Sequence, residues 1–252
     1  MTVIRLIKNA MKKLFICLLV LGLLLCGCVK APVPETEGLT ETAAPTEAPK
    51  EFSLGVIENN VYTNAYVNWG CDFGQGWSFA GAEALQQLPE DVRSLIDGSE
   101  MSAVLEDYPQ IFDLAAENRE AYLAVNVVCT AISEAEQALY AGLTEEQTLD
   151  AVLENRDRIL ESYAQAGMEV ESMEKVQATF LGEPHFAIRT AARSGIVPVY
   201  MLQVMDYSRG SYGVTLTATS YLEDNTQDIL DLFYPAEGKP HIGTCAPSGF
   251  YV

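Results

Sequence analysis

The chain has 252 residues, 35 acidic side chains against 15 basic ones, a formal charge of −20 and a hydrophobic fraction of 49%. That length allows one or two domains, the apolar share suffices for a packed core, and so large an acidic excess repels nucleic acid and disfavours electrostatic docking on anionic lipid. The averages cover segments of very different character.

Residues 1–27 carry Arg5, Lys8, Lys12 and Lys13, no acidic residue, and an apolar run from Leu14 that ends in Leu25-Cys26-Gly27-Cys28. A basic flank, a short apolar run and a small residue before a cysteine read as a bacterial lipoprotein signal peptide. The run is short for a hydrocarbon core of about 30 Å. Gly27 suits a cut before Cys28, whereas a cut before Cys26 would place Leu25 there, so Cys28 is the expected site of lipidation. Cys17 and Cys26 then leave with the signal; an uncleaved hydrophobic anchor is the alternative. Met11, followed by Lys12-Lys13, would open a compact signal of its own, which leaves the true start at Met1 or Met11. Loss of the four positive charges takes the formal charge from −20 to −24. A covalent lipid is then the sensible means of holding the domain on the extracytoplasmic face of the cell membrane, and a cationic partner stays compatible with it.

Residues 28–51 comprise the lipidated cysteine and a tether rich in Glu, Thr and Ala, with Pro32, Pro34, Pro45 and Pro49 and no aromatic residue. Such a stretch builds no core and acts as a spacer with a root-mean-square reach of roughly 25–30 Å.

The globular domain is expected over 52–236. Phe52 to Trp69 alternates around Glu58-Asn59-Asn60 and predicts an opening β-hairpin. Gly74-Gln75-Gly76 suits a tight turn before a strand that places Trp77 and Phe79 on one face. Residues 81–106, interrupted by Pro89 and Gly98, predict short helical pieces. Ile111 to Glu117 and Ala121 to Ile132 predict a second hairpin across Asn118-Arg119. Thr144-Glu145-Glu146-Gln147 has capping-box spacing, and Leu149, Val152, Leu153, Ile159, Leu160 and Tyr163 predict one helix that stops at Gly167. The period then returns to two, and four strands are expected over 170–181, 185–193, 197–207 and 212–220, as an antiparallel meander. Asn225 is placed to cap a last short helix running to Tyr234, with Pro235 as its stop. Residues 237–252 read as a loose tail. The fold class is therefore α+β: an antiparallel sheet with hairpins and a C-terminal meander, packed against helices.

This order of elements resembles the PsbP-like α/β sandwich, a fold group shared by photosystem extrinsic subunits, a nuclear-import factor and many bacterial lipoproteins. The resemblance covers 52–236 and rests on Tyr62-Thr63-Asn64, Gly76-Trp77-Ser78-Phe79, the hairpin up to Ile132, the helix capped at Thr144, the meander, and Asp228-Ile229-Leu230-Asp231-Leu232-Phe233. It implies a binding or assembly module and carries over no site residue.

The residues themselves name no reaction. Phosphate cradles, dinucleotide fingerprints, a Gly-x-Ser-x-Gly elbow, His-Glu-x-x-His and the calcium-loop pattern are missing, so no cofactor or metal is expected. Acidic pairs such as Glu117 with Glu120, or Asp224 with Asp228, carry no diagnostic weight in so acidic a chain. Cys71, Cys129 and Cys245 remain after processing and are expected as structural thiols, with a Cys71–Cys245 bridge as the minority reading. Tyr62, Tyr66, Trp69, Phe73 and Trp77 form the densest aromatic region; core packing is the first reading, and an exposed subset would make a platform for a protein, peptide or glycan. The expected function is non-catalytic binding or assembly at the membrane. The alternative is an envelope hydrolase using His185 with a cysteine or carboxylate, since His185 and the tail residue His241 are the two histidines of the chain.

Overall fold

The computed structural model describes residues 51–95, 109–208 and 210–237. Residues 1–27, read above as a signal, Cys28 and the expected tether up to 50, and the expected tail from 238 with His241 and Cys245 lie outside the described residues. Two short strands, β1 (Val56–Glu58) and β2 (Val61–Asn64), form the expected hairpin, turning on Asn59 and Asn60, both at positive φ. Asparagine tolerates that conformation, and two such residues in a row make the two-residue turn that matches strand twist. There follow β3 (Trp69–Asp72), β4 (Ser78–Phe79), α1 (Ala82–Leu95), β5 (Gln110–Asn118) and β6 (Leu123–Ala131). Three helices come next, α2 (Glu134–Ala141), α3 (Glu145–Leu153) and α4 (Arg156–Gln165). The meander is β7 (Glu169–Phe180), β8 (Glu183–Ser194), β9 (Val197–Asp206) and β10 (Tyr212–Tyr221), and α5 (Thr226–Leu230) and β11 (Phe233–Pro235) close the domain.

Seven strands form one antiparallel sheet in the order β4-β5-β6-β10-β9-β8-β7, and four form a second in the order β1-β2-β3-β11. The large sheet is the middle layer. Helices α1 to α4 pack on one face through Leu88, Val92, Tyr140, Leu149, Val152, Ile159 and Tyr163. The small sheet and α5 pack on the other through Tyr62, Trp69, Cys71, Phe73, Ile229, Leu230 and Phe233. Strand alternation does the sorting: in β6, Val125, Val127 and Cys129 face the small sheet while Val128 faces the helices, and in β10 Val214, Leu216 and Ala218 face the small sheet. The mixed α+β class with antiparallel sheets therefore holds.

Four expectations need correction. Residues 82–95 are one helix that runs through Pro89; the apolar stripe of Leu85, Leu88 and Val92, laid against the core, outweighs the one backbone hydrogen bond proline removes. The helix expected from Thr144 is two helices, α3 and α4, broken at Glu154-Asn155, where the stripe positions between Val152 and Ile159 are filled by the polar Asn155 and Arg156. The last helix stops at Leu230, and residues 233–235 pair instead with β3, Tyr234 opposite Gly70. A Cβ on Gly70 would lie 2.4 Å from the Tyr234 ring, so glycine there is what lets the ring lie across the small sheet. Asn225 makes no side-chain cap; Asp224 accepts from both the backbone N–H and the hydroxyl of Thr226.

A buried carboxyl joins the two sheets. Asp113 is the extra residue of a β-bulge in β5, where pairing with β6 shifts between Phe112 and Leu114. It is 5% exposed and accepts from the Tyr62 hydroxyl at 2.5 Å, Asn64 Nδ2 at 2.6 Å and the Gly55 N–H at 2.6 Å. Burial beside it pushes the Tyr62 phenol well above its ordinary range, with the neighbouring Asp113 adding to the rise.

Candidate functional site

The ladder between β8 and β9 is incomplete. Pairing runs from Ser194 opposite Val197 down to Ile188 opposite Gln203 and ends there. Yet β8 continues to Glu183, paired with β7 throughout, and β9 continues to Asp206, paired with β10. The two strands part while each stays attached to its outer neighbour, which opens a wedge in the sheet. A cavity of about 310 Å³ lies there, at the small end of ligand-pocket volumes.

Each wall comes from a different layer. Trp69, Phe180 and Val204 line it from the intersheet side, with Trp69 edge-on to Phe180 at 5.1 Å. Tyr140, Leu143, Thr148, Met205 and Tyr207 line it from the helical side. The Tyr207 ring is set by β10: it lies on Gly213, where a Cβ would come within 2.2 Å of it, and it packs against Tyr140 at 4.7 Å. Leu181, at positive φ in the β7–β8 turn with Gly182, closes one end. A neighbouring cavity of about 270 Å³ shares Leu181 and is lined largely by residues 230–235.

The polar groups of the cleft are arranged by α3. Thr144 and Gln147 complete the expected capping box, which fixes the helix start and directs Glu145, its first residue, into the wedge. Glu145 Oε1 receives His185 Nδ1 at 2.9 Å and Oε2 receives the Phe186 N–H at 3.1 Å. In an unbroken ladder that N–H would face β9, so the carboxylate takes over a donor the parted strands leave open. Because a carboxylate only accepts, Nδ1 carries a proton, and in the neutral ring Nε2 is then the acceptor nitrogen. The Phe180 ring stands edge-on to the imidazole at 5.7 Å. On the opposite wall Asp206 Oδ1 accepts from the Ser208 hydroxyl at 2.7 Å and its N–H at 3.0 Å. Among the described residues no lysine or arginine lines the cleft.

Four of the five aromatic residues singled out in the sequence lie in the interior. Tyr62, Tyr66, Trp69 and Phe73 are at most 4% exposed. Tyr62 binds Asp113, Tyr66 exchanges hydrogen bonds with the backbone of Tyr212, and Phe73 meets Trp77, Phe79 and Phe233. Trp77 is half-buried. An exposed platform needs accessible rings; of this set Trp69 alone reaches the cleft. His185 is brought to a carboxylate, Glu145, and, among the described residues, not to a cysteine: Cys71 and Cys129 are buried thiols in the intersheet core. Burial pushes the Cys71 thiol well above its ordinary range, which removes it as a thiolate nucleophile. Among the described residues no group of three His, Cys, Asp or Glu side chains is placed to hold a metal ion.

Glu145, Thr148, Asp206, Tyr207 and Ser208 were not singled out as site residues. The capping box at Thr144 was the available signal for Glu145; nothing local marks the others, whose convergence depends on where β8 and β9 part. No family model matches the chain, and no curated protein matches it.

Proposed function

We propose that this chain is a lipid-anchored extracytoplasmic protein, held through Cys28, whose folded part binds a small or side-chain-sized ligand in the β8–β9 cleft without turning it over. The observation that carries the reading is the parted ladder. An antiparallel pair with a two-residue connection is kept open over its last rows, lined on both faces by aromatic rings, with a His185–Glu145 pair tying β8 to α3 where its backbone ladder with β9 has stopped. A concave, mostly apolar site with a few convergent polar groups is the usual form of a ligand pocket. Residues 1–51 support the anchor and spacer: a basic flank, an apolar run, Gly27-Cys28 and a proline-rich tether. The finer architecture belongs to the same proposal: a large antiparallel sheet with helices on one face, entered by a hairpin and completed by a meander, supports the PsbP-like assignment and with it a binding or assembly role. The acidic charge argues against nucleic acid as the partner.

The chain has two tryptophans, so a Trp77→Phe protein leaves Trp69 as a fluorescent reporter inside the cleft. A panel of small neutral, cationic and anionic compounds and short peptides should include members that change this emission saturably. Ser208→Phe, a substitution at an exposed position on the rim, should abolish the response. If no member of the panel changes Trp69 emission, the cleft is not a ligand site. The anchor is tested separately: Cys28→Ala should lose the lipid and the mature mass, and an unchanged mass and membrane fraction would defeat it.

The His185–Glu145 pair also favours a second reading, a hydrolase in which His185 Nε2 activates water. Undiminished turnover of an identified substrate by His185→Ala would eliminate it.

A further inference from the structure

The backbone of the parted ladder is closed on one strand and open on the other. Counting in twos from the pair that closes the β8–β9 turn, Ser194 with Val197, the residues that exchange both bonds are Ala192 with Val199, Thr190 with Met201 and Ile188 with Gln203. Phe186 with Met205 would come next, and that pair is not formed. On β8 the Phe186 N–H is given the Glu145 carboxylate. On β9 nothing equivalent is supplied: among the described residues the Met205 N–H and C=O meet no hydrogen-bond partner, although Met205 is 5% exposed and lines the cleft. Buried backbone donors and acceptors are nearly always paired, so a donor and an acceptor left together on one residue call for a partner. Met205 also stays in register with Thr215 of β10, which holds its backbone in strand geometry.

The side chains of the lining choose no charge class, because Trp69, Tyr140 and Tyr207 carry donors while Glu145 and Asp206 carry carboxylates. The backbone pair does choose. Its N–H and C=O sit at the spacing of one ladder rung, and the group that meets both at once is a residue of an extended chain. We infer that the cleft receives an extended peptide segment of another protein, paired through its main chain with Met205 on the open edge of β9. The residue opposite Met205 points its side chain to the helical side, toward Tyr140 and Leu143, and its neighbours point to the intersheet side, toward Trp69, Phe180 and Val204. Both sides are apolar, so the segment is a continuous apolar run of the kind found in strands buried on both faces, not an alternating one. The cavity of about 310 Å³ admits a short stretch of it, with the flanks outside. A formal charge of −20 disfavours acidic flanks. This inference rests on the cleft being the ligand site proposed above.

A blocked pentapeptide with a Leu-Phe-Leu centre between two lysines, titrated into the full chain carrying Trp77→Phe, tests the pairing, with Trp69 emission reporting occupancy and calorimetry the affinity. Saturable binding is expected. Three further peptides each carry one N-methyl group on a central residue, which removes a main-chain donor and keeps every side chain; at least one should bind about tenfold more weakly. Amide hydrogen exchange gives a readout that side-chain docking does not move. The Met205 amide should slow by about tenfold or more in the complex, while those of Val204 and Asp206, which face β10, change little. N-methylated peptides that all bind within about twofold of the parent, or a Met205 amide unmoved at saturation, overturn main-chain pairing and leave the cleft as a binding site. Silence from the peptides while other members of the panel report at Trp69 overturns the peptide alone; silence from every compound leaves Met205 to water and removes both readings.

Discussion

The two faces of the seven-stranded sheet are built from the same strands and obey different rules. Toward the small sheet the buried residues are Leu114, Val125, Val127, Leu202, Val204, Val214 and Leu216, and the one buried carboxyl among them, Asp113, has a donor for each of three hydrogen bonds. Toward the helices the same strands turn Asn126, Thr130, Thr190, Gln203, Thr215, Thr217 and Thr219, all buried. Asn126, Thr217 and Gln203 lie in one cross-strand row. Gln203 Nε2 donates to Thr217 Oγ1 at 3.1 Å, but Gln203 Oε1, Asn126 Oδ1 and the hydroxyls of Thr130 and Thr190 meet no hydrogen-bond partner among the described residues. The Tyr163 hydroxyl faces Thr190 without forming a good hydrogen bond, and burial pushes that phenol upward. One face is a satisfied, dry joint. The other carries the cost of desolvated polar groups, and the cleft, where β8 and β9 part, is lined from both faces.

The comparison breaks first at Asp113. Replacement by alanine strands the Tyr62 hydroxyl, Asn64 Nδ2 and the Gly55 N–H together, and the expected loss is about 4 kcal/mol, read as a lower urea midpoint at unchanged slope. Tyr62→Phe removes one of the three bonds and should cost about 1–2 kcal/mol. An Asp113→Ala protein as stable as the parent would mean that the joint is held by apolar contact alone. Leu216→Ala, a pure cavity on the same dry face, is expected next at about 3 kcal/mol.

The helical face predicts the opposite response. Gln203→Leu combined with Thr217→Val removes both partners of a buried hydrogen bond and one unpartnered oxygen, and should leave stability within about 1 kcal/mol of the parent or raise it. Thermal and urea unfolding of the double variant beside Leu216→Ala gives the contrast directly. A loss as large as that of Leu216→Ala would show that the polar row is a satisfied network and erase the distinction between the faces.

Much of the joint was legible in the sequence and little of the cleft was. β-Propensity in residues 121–132 and alternation in 212–220 placed strands, and Asn59-Asn60, Gly182 and Gly195 placed turns, because these signals are local. Helix α2 was equally local and was missed: Ser133 and Glu136 make a complete capping box, the same spacing that marked Thr144. The break between α3 and α4 was marked only by the polar Asn155 and Arg156 between Val152 and Ile159. The division into two sheets was not, since β11 reaches β3 from more than 150 residues away. Nor was the cleft, because His185 and Glu145 are forty residues apart and meet only where one ladder stops short of the ends of its strands. The aromatic cluster at 62–77 reads first as core, and the burial of Tyr62, Tyr66, Trp69 and Phe73 agrees; the sequence alone left a binding patch open beside it, because rings dense in sequence serve either and only burial separates the two.

The smallest expected effect lies at the edge of the comparison, where α5 is tied back to β8. Burial alone would raise the Asp224 carboxyl, but hydrogen bonds from the Thr226 hydroxyl and from Arg189 outweigh it and hold the group below its ordinary 3.8. A carboxyl lowered by folding contributes stability that is fully present above its unfolded value and is lost as pH falls through the lower folded one. Arg189 is about half exposed, so the pair is screened, and Asp224→Asn should cost under about 1 kcal/mol at neutral pH. The difference between parent and variant should hold steady from neutral pH down to about pH 5 and close as the solution passes below 3.8. High salt should shrink it at every pH, through screening of the exposed guanidinium. A gap that widens on acidification would mean that the carboxyl is raised on folding, and that α5 is held by Ile229 and Leu230 against the intersheet core with the ion pair working against it.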